Sequence, residues 1–532
     1  MQQPAADTGR IARSASKVSI AVMCSRVLGL VREQAFAVLF GAGFAFDAFV
    51  VAFRIPNLLR DLFGEGALSA AFVTVFSDYD ETKGIEATWK LAGNIIVFIT
   101  ILLSIITLLG ILFADKIVLV LVDADFEKIP DKVALTHLLT MIMFPFLIFI
   151  SLSSVVMGIL NTKGRFFIPA LASSFFNLGS IIGGVSLAFL LSKNGHPSIV
   201  GMAIGTLIGG MLQLVGQLPS LARTDFRFKP HLNLQDPGLH RILKLMTPAV
   251  FGLAALQINI FINTYFASSL QEGSLSWLNY AFRFFQFPVG VFGVAISVAA
   301  MPLLSRQAAT RDFKRLKETF TSSLTLAFSL TIPATVGLIL LSDPIIRIIF
   351  EHGNFTAIDT AKTAEALRFY ALGLFAYASV KVMVPVFYAL NDTRYPVAGS
   401  FLAVGANITL ILLTITSLQH KAMALSISGA MTANFLFLGL VLYWKLDGYS
   451  LSYLITGVGK VLAAALLMGI YLYGLNTFIS GWMQQGFFKE LGGVFFFVLS
   501  GAFVYGISLY LLKLKELKML VDKVRGNEMG NE

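Results

Sequence analysis

The chain has 532 residues, of which 56% are hydrophobic and only 13% charged, with a formal net charge of +10. The charged share is half the ~25% of an ordinary soluble domain, which excludes a water-soluble fold. One cysteine, Cys24, excludes an intrachain disulfide and a thiolate metal cluster, and reads as a small apolar residue in a span.

A bilayer core ~30 Å thick takes about 20 apolar residues per helix. In chain order the stretches that meet this are 15–39, 45–76, 88–113, 134–160, 166–192, 197–220, 240–268, 274–304, 317–341, 363–390, 395–417, 422–444, 454–479 and 488–512. The expected fold class is therefore all-α, a polytopic membrane protein of about 14 transmembrane helices. The polar opening and the arginines at Arg26 and Arg32 argue against a cleaved signal peptide, so the first span is expected to stay. Lys and Arg gather in alternate joints: Arg223, Arg227, Lys229, Arg241 and Lys244; then Arg306, Arg311, Lys314, Arg315 and Lys317; then the tail from Lys513 to Arg525. Joint 115–132 is instead rich in acids, including Asp115, Asp123 and Asp125. This is the positive-inside pattern and predicts both termini in the cytoplasm, with no role for nucleic acid. The basic joints are also placed to meet anionic lipid headgroups.

The chain repeats itself. Ala52-Phe53-Arg54 recurs as Ala281-Phe282-Arg283, a shift of 229 that also carries Phe63 to Phe292 and Phe126 to Phe355. With one residue more, Leu160-Asn161 falls on Leu390-Asn391 and Asn177 on Asn407. Six spans separate matching positions, so the copies insert with the same orientation. Two parallel six-helix lobes around a central cavity are expected, plus two extra C-terminal helices. Residues 1–222 form the N-terminal lobe (spans 1–6). Residues 223–445 form a basic linker and the C-terminal lobe (spans 7–12), and 446–532 hold spans 13 and 14 and a basic tail. Such an arrangement suggests alternating access; the absence of a GxxxxGK[ST] phosphate loop argues against direct ATP coupling.

Charges then appear where a span should be apolar. Span 1 has Arg26, Arg32 and Glu33; span 2 has Asp47, Arg54, Arg60, Asp61 and Glu65, with Pro56 and Gly64 able to break it; span 8 has Arg283 and span 10 has Lys381. Each charge at the centre of a helix costs ~2.5–3.5 kcal/mol, so these must face a hydrated cavity or pair with one another. Asp47, Arg54 and Asp61 recur every seven residues, nearly two turns, and would share one side of a helix. The alternative for Glu33, Asp47 and Asp61 is buried ion pairs locking spans 1 and 2. A guanidinium holds phosphate oxygens bidentately and keeps its proton, so this cluster suits a phosphate or diphosphate, with or without a lipid tail.

Ser25-Arg26-Val27-Leu28-Gly29, Arg32, Asp47-Ala48-Phe49, Pro56-Asn57-Leu58-Leu59-Arg60 and Glu65-Gly66-Ala67 resemble the opening of the MurJ (MviN) family. That family comprises lipid II flippases of the multidrug/oligosaccharidyl-lipid/polysaccharide (MOP) exporter superfamily. Tyr280-Ala281 to Arg283, Phe287-Pro288, Gly290, and His352-Gly353 with Phe355-Thr356 continue the likeness, which runs from about residue 15 to at least 445. The resemblance implies a flippase, not an enzyme, moving undecaprenyl-diphosphate-linked disaccharide pentapeptide from the inner to the outer leaflet of the bacterial cytoplasmic membrane. It carries substrate contact onto Arg26, Arg32, Asp47, Arg54, Arg60, Glu65, Arg283 and Lys381, and a lipid-tail groove onto spans 13 and 14. Phe282 and Gln286 stand where relatives have polar or acidic residues, which leaves Arg283 freer for substrate. Asn263 and Asp392 fall near a sodium site of some relatives, but a neutral amide weakens a hard-cation site. Asn263 is therefore expected to make a helix–helix hydrogen bond. No cofactor or metal is implied; the partners are lipid II, membrane lipids and proteins of peptidoglycan synthesis, and the chain is expected to be a monomer. The competing function is export of another polyprenyl-diphosphate glycan, such as an O-antigen or capsule unit. An enzyme acting on the same lipid would need carboxylate pairs or clustered histidines, and the six histidines are scattered.

Overall fold

The computed structural model describes residues 4–63, 66–483, 486–514 and 516, and every element among them is helical. It divides into two compact units, Met1–Ser276 and Trp277–Glu532. The first holds α1 (Pro4–Phe40), α2 (Phe44–Phe63), α3 (Ala67–Thr82), α4 (Ile85–Leu112), α5 (Ala114–Leu121), α6 (Ala124–Glu127), α7 (Lys132–Met143), α8 (Phe146–Thr162), α9 (Phe167–Lys193), α10 (Ile199–Val215), α11 (Leu218–Leu221) and α12 (Pro237–Ser268). Helix α13 (Ser274–Pro288) leads into the second unit and passes through a π turn, Val289–Val294, into α14 (Ala295–Ala309). Then follow α15 (Phe313–Phe350), α16 (Ala357–Ala371), α17 (Leu374–Ala389), α18 (Arg394–Leu418), α19 (His420–Lys445), α20 (Leu451–Met483) and α21 (Phe487–Leu511).

Ten helical stretches among the described residues are long and apolar enough to cross a membrane, or eleven if the bent pair α16–α17 is one span. The expected fourteen is not reached by this measure. Helix α2 holds too many charges to qualify, with Asp47, Arg54, Arg60 and Asp61 in 20 residues, and α1 and α12 are not among the ten. Span 45–76 is two helices, because α2 stops at Phe63 and α3 starts at Ala67. Span 134–160 is interrupted at Phe144-Pro145, where proline has no amide to continue the ladder. Span 363–390 bends by 44° at Leu372-Gly373. Gly373 allows the bend to press on α19, since a Cβ there would stand 2.6 Å from the Ser428 Cα. The repeat and the compact units also divide the chain at different points: α12, assigned by the repeat to the second lobe, packs on α3 in the first unit.

Lipid tails are as apolar as leucine, so close packing holds such helices together more than escape from solvent does. In the first unit Phe72, Phe76, Leu91, Ile95, Val155 and Ile159 fill the space between α3, α4 and α8. Helices α9 and α10 approach until their backbones touch; a Cβ on Gly205 would collide with Gly184. The basic joint after α11 is not slack. Buried Asn94 of α4 donates to the Asn233 carbonyl at 2.9 Å and accepts from its amide at 2.8 Å, as a neighbouring strand would.

In the second unit Leu316, Phe320, Leu324, Val386, Phe387 and Leu438 join α15, α17 and α19. The last two helices are fixed to α15. Pro333 lies inside α15 and has no amide to give the Ser329 carbonyl, four residues earlier. The Tyr505 hydroxyl of α21 donates to that carbonyl instead, at 2.6 Å in a buried setting. Near the other end of α21, Arg347 of α15 donates to Glu490 at 2.9 Å.

Candidate functional site

In the first unit the charged residues of α1 and α2 fall into two kinds. Asp47 is 2% exposed and fully engaged. One oxygen accepts from the Lys132 ammonium at 3.1 Å and from the Gly273 amide at 2.8 Å; the other accepts from the Ser276 amide at 3.0 Å and its hydroxyl at 2.6 Å. Lys132, itself 1% exposed, also lies 4.7 Å from the centre of the Phe126 ring. The carboxylate thus caps the first turn of α13 as a side-chain N-cap would, and its charge is neutralised in place. The expected sharing of one helix side by Asp47, Arg54 and Asp61 does not bring them into one pair. Asp61 is taken by its neighbour Arg60, at 3.0 Å, and by Gln257 of α12 at 3.3 Å.

The arginines are more open. Arg26 is exposed on α1, and Arg54 and Arg60 are half-buried on α2. Arg54 lies ten residues after Phe44, about 15 Å along the helix at 1.5 Å per residue. Pro56 follows it and leaves the Ala52 carbonyl without its helical donor. Arg32 is oriented from two sides: its Nη2 donates to Glu33 at 2.8 Å, and its guanidinium carbon lies 5.2 Å from the centre of the Phe176 ring of α9. The next residue, Asn177, donates to the Ser25 carbonyl at 3.1 Å, so α9 holds α1 beside Arg26. Glu65 lies outside the described residues.

In the second unit Arg283 and Gln286 are both exposed and three apart on α13, hence on one face. Arg283 stands about 14 Å along the helix from Ser274 by the same rise. Lys381 is exposed on α17, 5.9 Å from the centre of the Tyr377 ring.

The remaining expectations change. Asn263 donates to the Asn259 carbonyl of its own helix at 2.7 Å, not to another helix. Asp392 pairs with Lys445 and accepts from the Arg394 amide at 3.2 Å, so its carboxylate is already used. The two belong to different compact units. Lys132, Phe176 and Ser276 were not legible in advance: a lysine beginning an apolar stretch reads as an interfacial end, and the other two residue types carry no signal alone.

Long helices in two compact units, with guanidinium groups where lipid-facing helices have none, define a polytopic membrane transporter. The fold matches that of an inward-facing MATE-family multidrug transporter of the MOP superfamily, with a TM-score of 0.68 at 15% identity, over 80% of this chain and 94% of that one. The chain belongs to the MurJ lipid II flippase family, whose model matches residues 36–492. The probable lipid II flippase MurJ of Buchnera aphidicola subsp. Schizaphis graminum is 34% identical over 512 residues, covering 95% of this chain and 98% of that one. A solved structure of lipid II flippase MurJ in an inward closed conformation matches with a TM-score of 0.76 at 30% identity, over 93% of this chain and 98% of that one.

Proposed function

We propose that this chain flips lipid II from the inner to the outer leaflet of the bacterial cytoplasmic membrane by alternating access, supplying peptidoglycan synthesis. The observation that supports this reading most is the set of exposed or half-buried guanidinium groups on α1, α2 and α13, in a chain of the MurJ family. Arg26, Arg32, Arg54, Arg60 and Arg283 hold the diphosphate, because planar N–H pairs match phosphate oxygens and keep their charge at every physiological pH. Gln286, beside Arg283, donates to the same oxygens without competing for the guanidinium. Lys381 adds a mobile positive charge, and Glu65 gates. Asp47 acts by holding the start of α13 rather than by touching the lipid. The prenyl tail lies against α20 and α21, where Phe478, Ile479, Gly492, Gly493 and Phe496 line a groove of about 430 Å³.

The test has two parts. A strain depleted of its own lipid II flippase grows with this gene and fails with Arg283→Ala at equal protein level. Vesicles holding only this protein expose labelled lipid II on the far leaflet. Exposure of an O-antigen carrier lipid with no exposure of lipid II would overturn the assignment in favour of the other polyprenyl-diphosphate glycans.

A further inference from the structure

The first unit carries a second phosphate-sized site, away from the arginines of α1 and α2. Helix α8 ends on Gly164, whose left-handed φ of 72° turns the chain so that the Arg165 amide reaches back to the Leu160 carbonyl at 2.8 Å. That turn directs the Arg165 side chain across to α11 and the start of the basic joint. There it donates to the Ser220 carbonyl at 3.1 Å and the Arg223 carbonyl at 2.7 Å. These bonds use two of the five N–H groups of a guanidinium and fix its plane. Around it lies a groove of about 360 Å³ lined by Val18, Gly164, Arg165, Phe166, Phe167, Ile168 and Ser220.

Three properties of the groove select its occupant. Its one charged lining residue is a cation, Arg165, and Asp80 is already paired with Lys163 at 2.7 Å. Its rim is aromatic and open, since Phe166 and Phe167 are 47% and 42% exposed. Aromatic rings with neighbouring cations are the pattern of a membrane–water boundary, where acyl chains meet headgroups. Finally, α9 opens at Phe167 with no side chain capping its first amides, which adds donors to the same groove. A single small headgroup fits; a disaccharide pentapeptide does not.

We infer that this groove binds the phosphate of an anionic glycerophospholipid, with Arg165 as the charge-recognising residue and Phe166 and Phe167 receiving the acyl chains. The bound lipid ties the α8–α9 turn to the basic joint and is distinct from the transported lipid.

The test uses the full chain in phosphatidylcholine nanodiscs containing spin-labelled phosphatidylglycerol as the probe, reading the motionally restricted fraction. Binding is expected to weaken about tenfold with Arg165→Gln, the loss of a hydrogen bond to a charged group. Ser220→Phe, which fills the groove and keeps Arg165, is expected to abolish the restricted signal, while Arg315→Gln in another basic joint leaves it unchanged. If Arg165→Gln fails to fold, Ser220→Phe and the headgroup comparison decide alone. Equal restriction of labelled phosphatidylcholine, an unchanged signal in Ser220→Phe, or an equal loss in Arg315→Gln would each overturn the inference. Displacement of the probe by stoichiometric lipid II would also overturn it, reassigning the groove to the transported substrate.

Discussion

The surroundings of Asp47 in the first unit and the face of α13 around Arg283 in the second treat ionised groups in opposite ways. Asp47 and Lys132 are shut away from solvent, and every strong acceptor direction of the carboxylate is filled. Arg283 and Gln286 are exposed on a helix whose other residues from Tyr280 to Pro288 are apolar or aromatic. A charge buried with its partners is part of the packing, whereas an exposed charge on a membrane helix costs insertion energy. The same residue-level anomaly in a sequence thus has two meanings, separated only by what packs around it.

Substitutions that should break or sharpen this contrast fall in order of their effect on stability. Asp47→Asn strands the buried Lys132 ammonium and is expected to destabilise the protein by about 3–5 kcal/mol. Unfolding midpoints in mild detergent measure it, and adding Lys132→Met should recover most of the loss; a change below ~1 kcal/mol would show the pair to be dispensable. Tyr505→Phe leaves the Ser329 carbonyl, already deprived by Pro333, unsatisfied, at about 1–3 kcal/mol. Hydrogen exchange around Pro333 of α15 should rise in that variant while the first unit stays unchanged.

A smaller effect belongs to Asp392, in the turn between α17 and α18. The hydrogen bond from Lys445 holds its carboxyl below the usual carboxylate range, against a lesser opposing pull from desolvation. A depressed folded value means the stabilisation is complete above the unfolded value, near pH 4, and is lost as pH falls through the folded one. The unfolding midpoint of Asp392→Asn should therefore differ from the parent at neutral pH and converge with it in acid. Equal differences at pH 7 and pH 3 would refute the pairing. Smallest for stability is Arg283→Ala, within about 0.5 kcal/mol as for other exposed sites. Its entire effect should appear as lost lipid II exposure in vesicles. A large drop in the unfolding midpoint would place Arg283 with Asp47 instead.

Much of the architecture was legible because apolar length is a one-dimensional property. The bounds of α18 to α21 follow the hydropathy runs to within a few residues, whereas α15 runs on to Phe350. Breaks were legible only in part. Pro56 and Gly64 warned of trouble in the second span, yet nothing local told that Phe144-Pro145 would divide the fourth or that Gly373 would let α17 swing toward Ser428. For the site, the expectation of an anionic ligand rests on guanidinium chemistry, which residue type alone supplies. The engaged state of Asp47 was hidden because its partners Lys132, Gly273 and Ser276 lie 85, 226 and 229 positions away. Spacing arguments reach one or two turns of a helix; such a network is a product of tertiary packing.

Pro333 and Tyr505 carry a consequence for inheritance. Each residue is a burden without the other: the proline leaves an acceptor wanting, and the hydroxyl would bring a buried donor with nothing to serve. A lineage that loses the tyrosine gains by restoring an amide at position 333, and one that loses the proline is released from keeping a hydroxyl 172 positions later in the chain. Among relatives the two sites should therefore change together, as one heritable character written in two distant places.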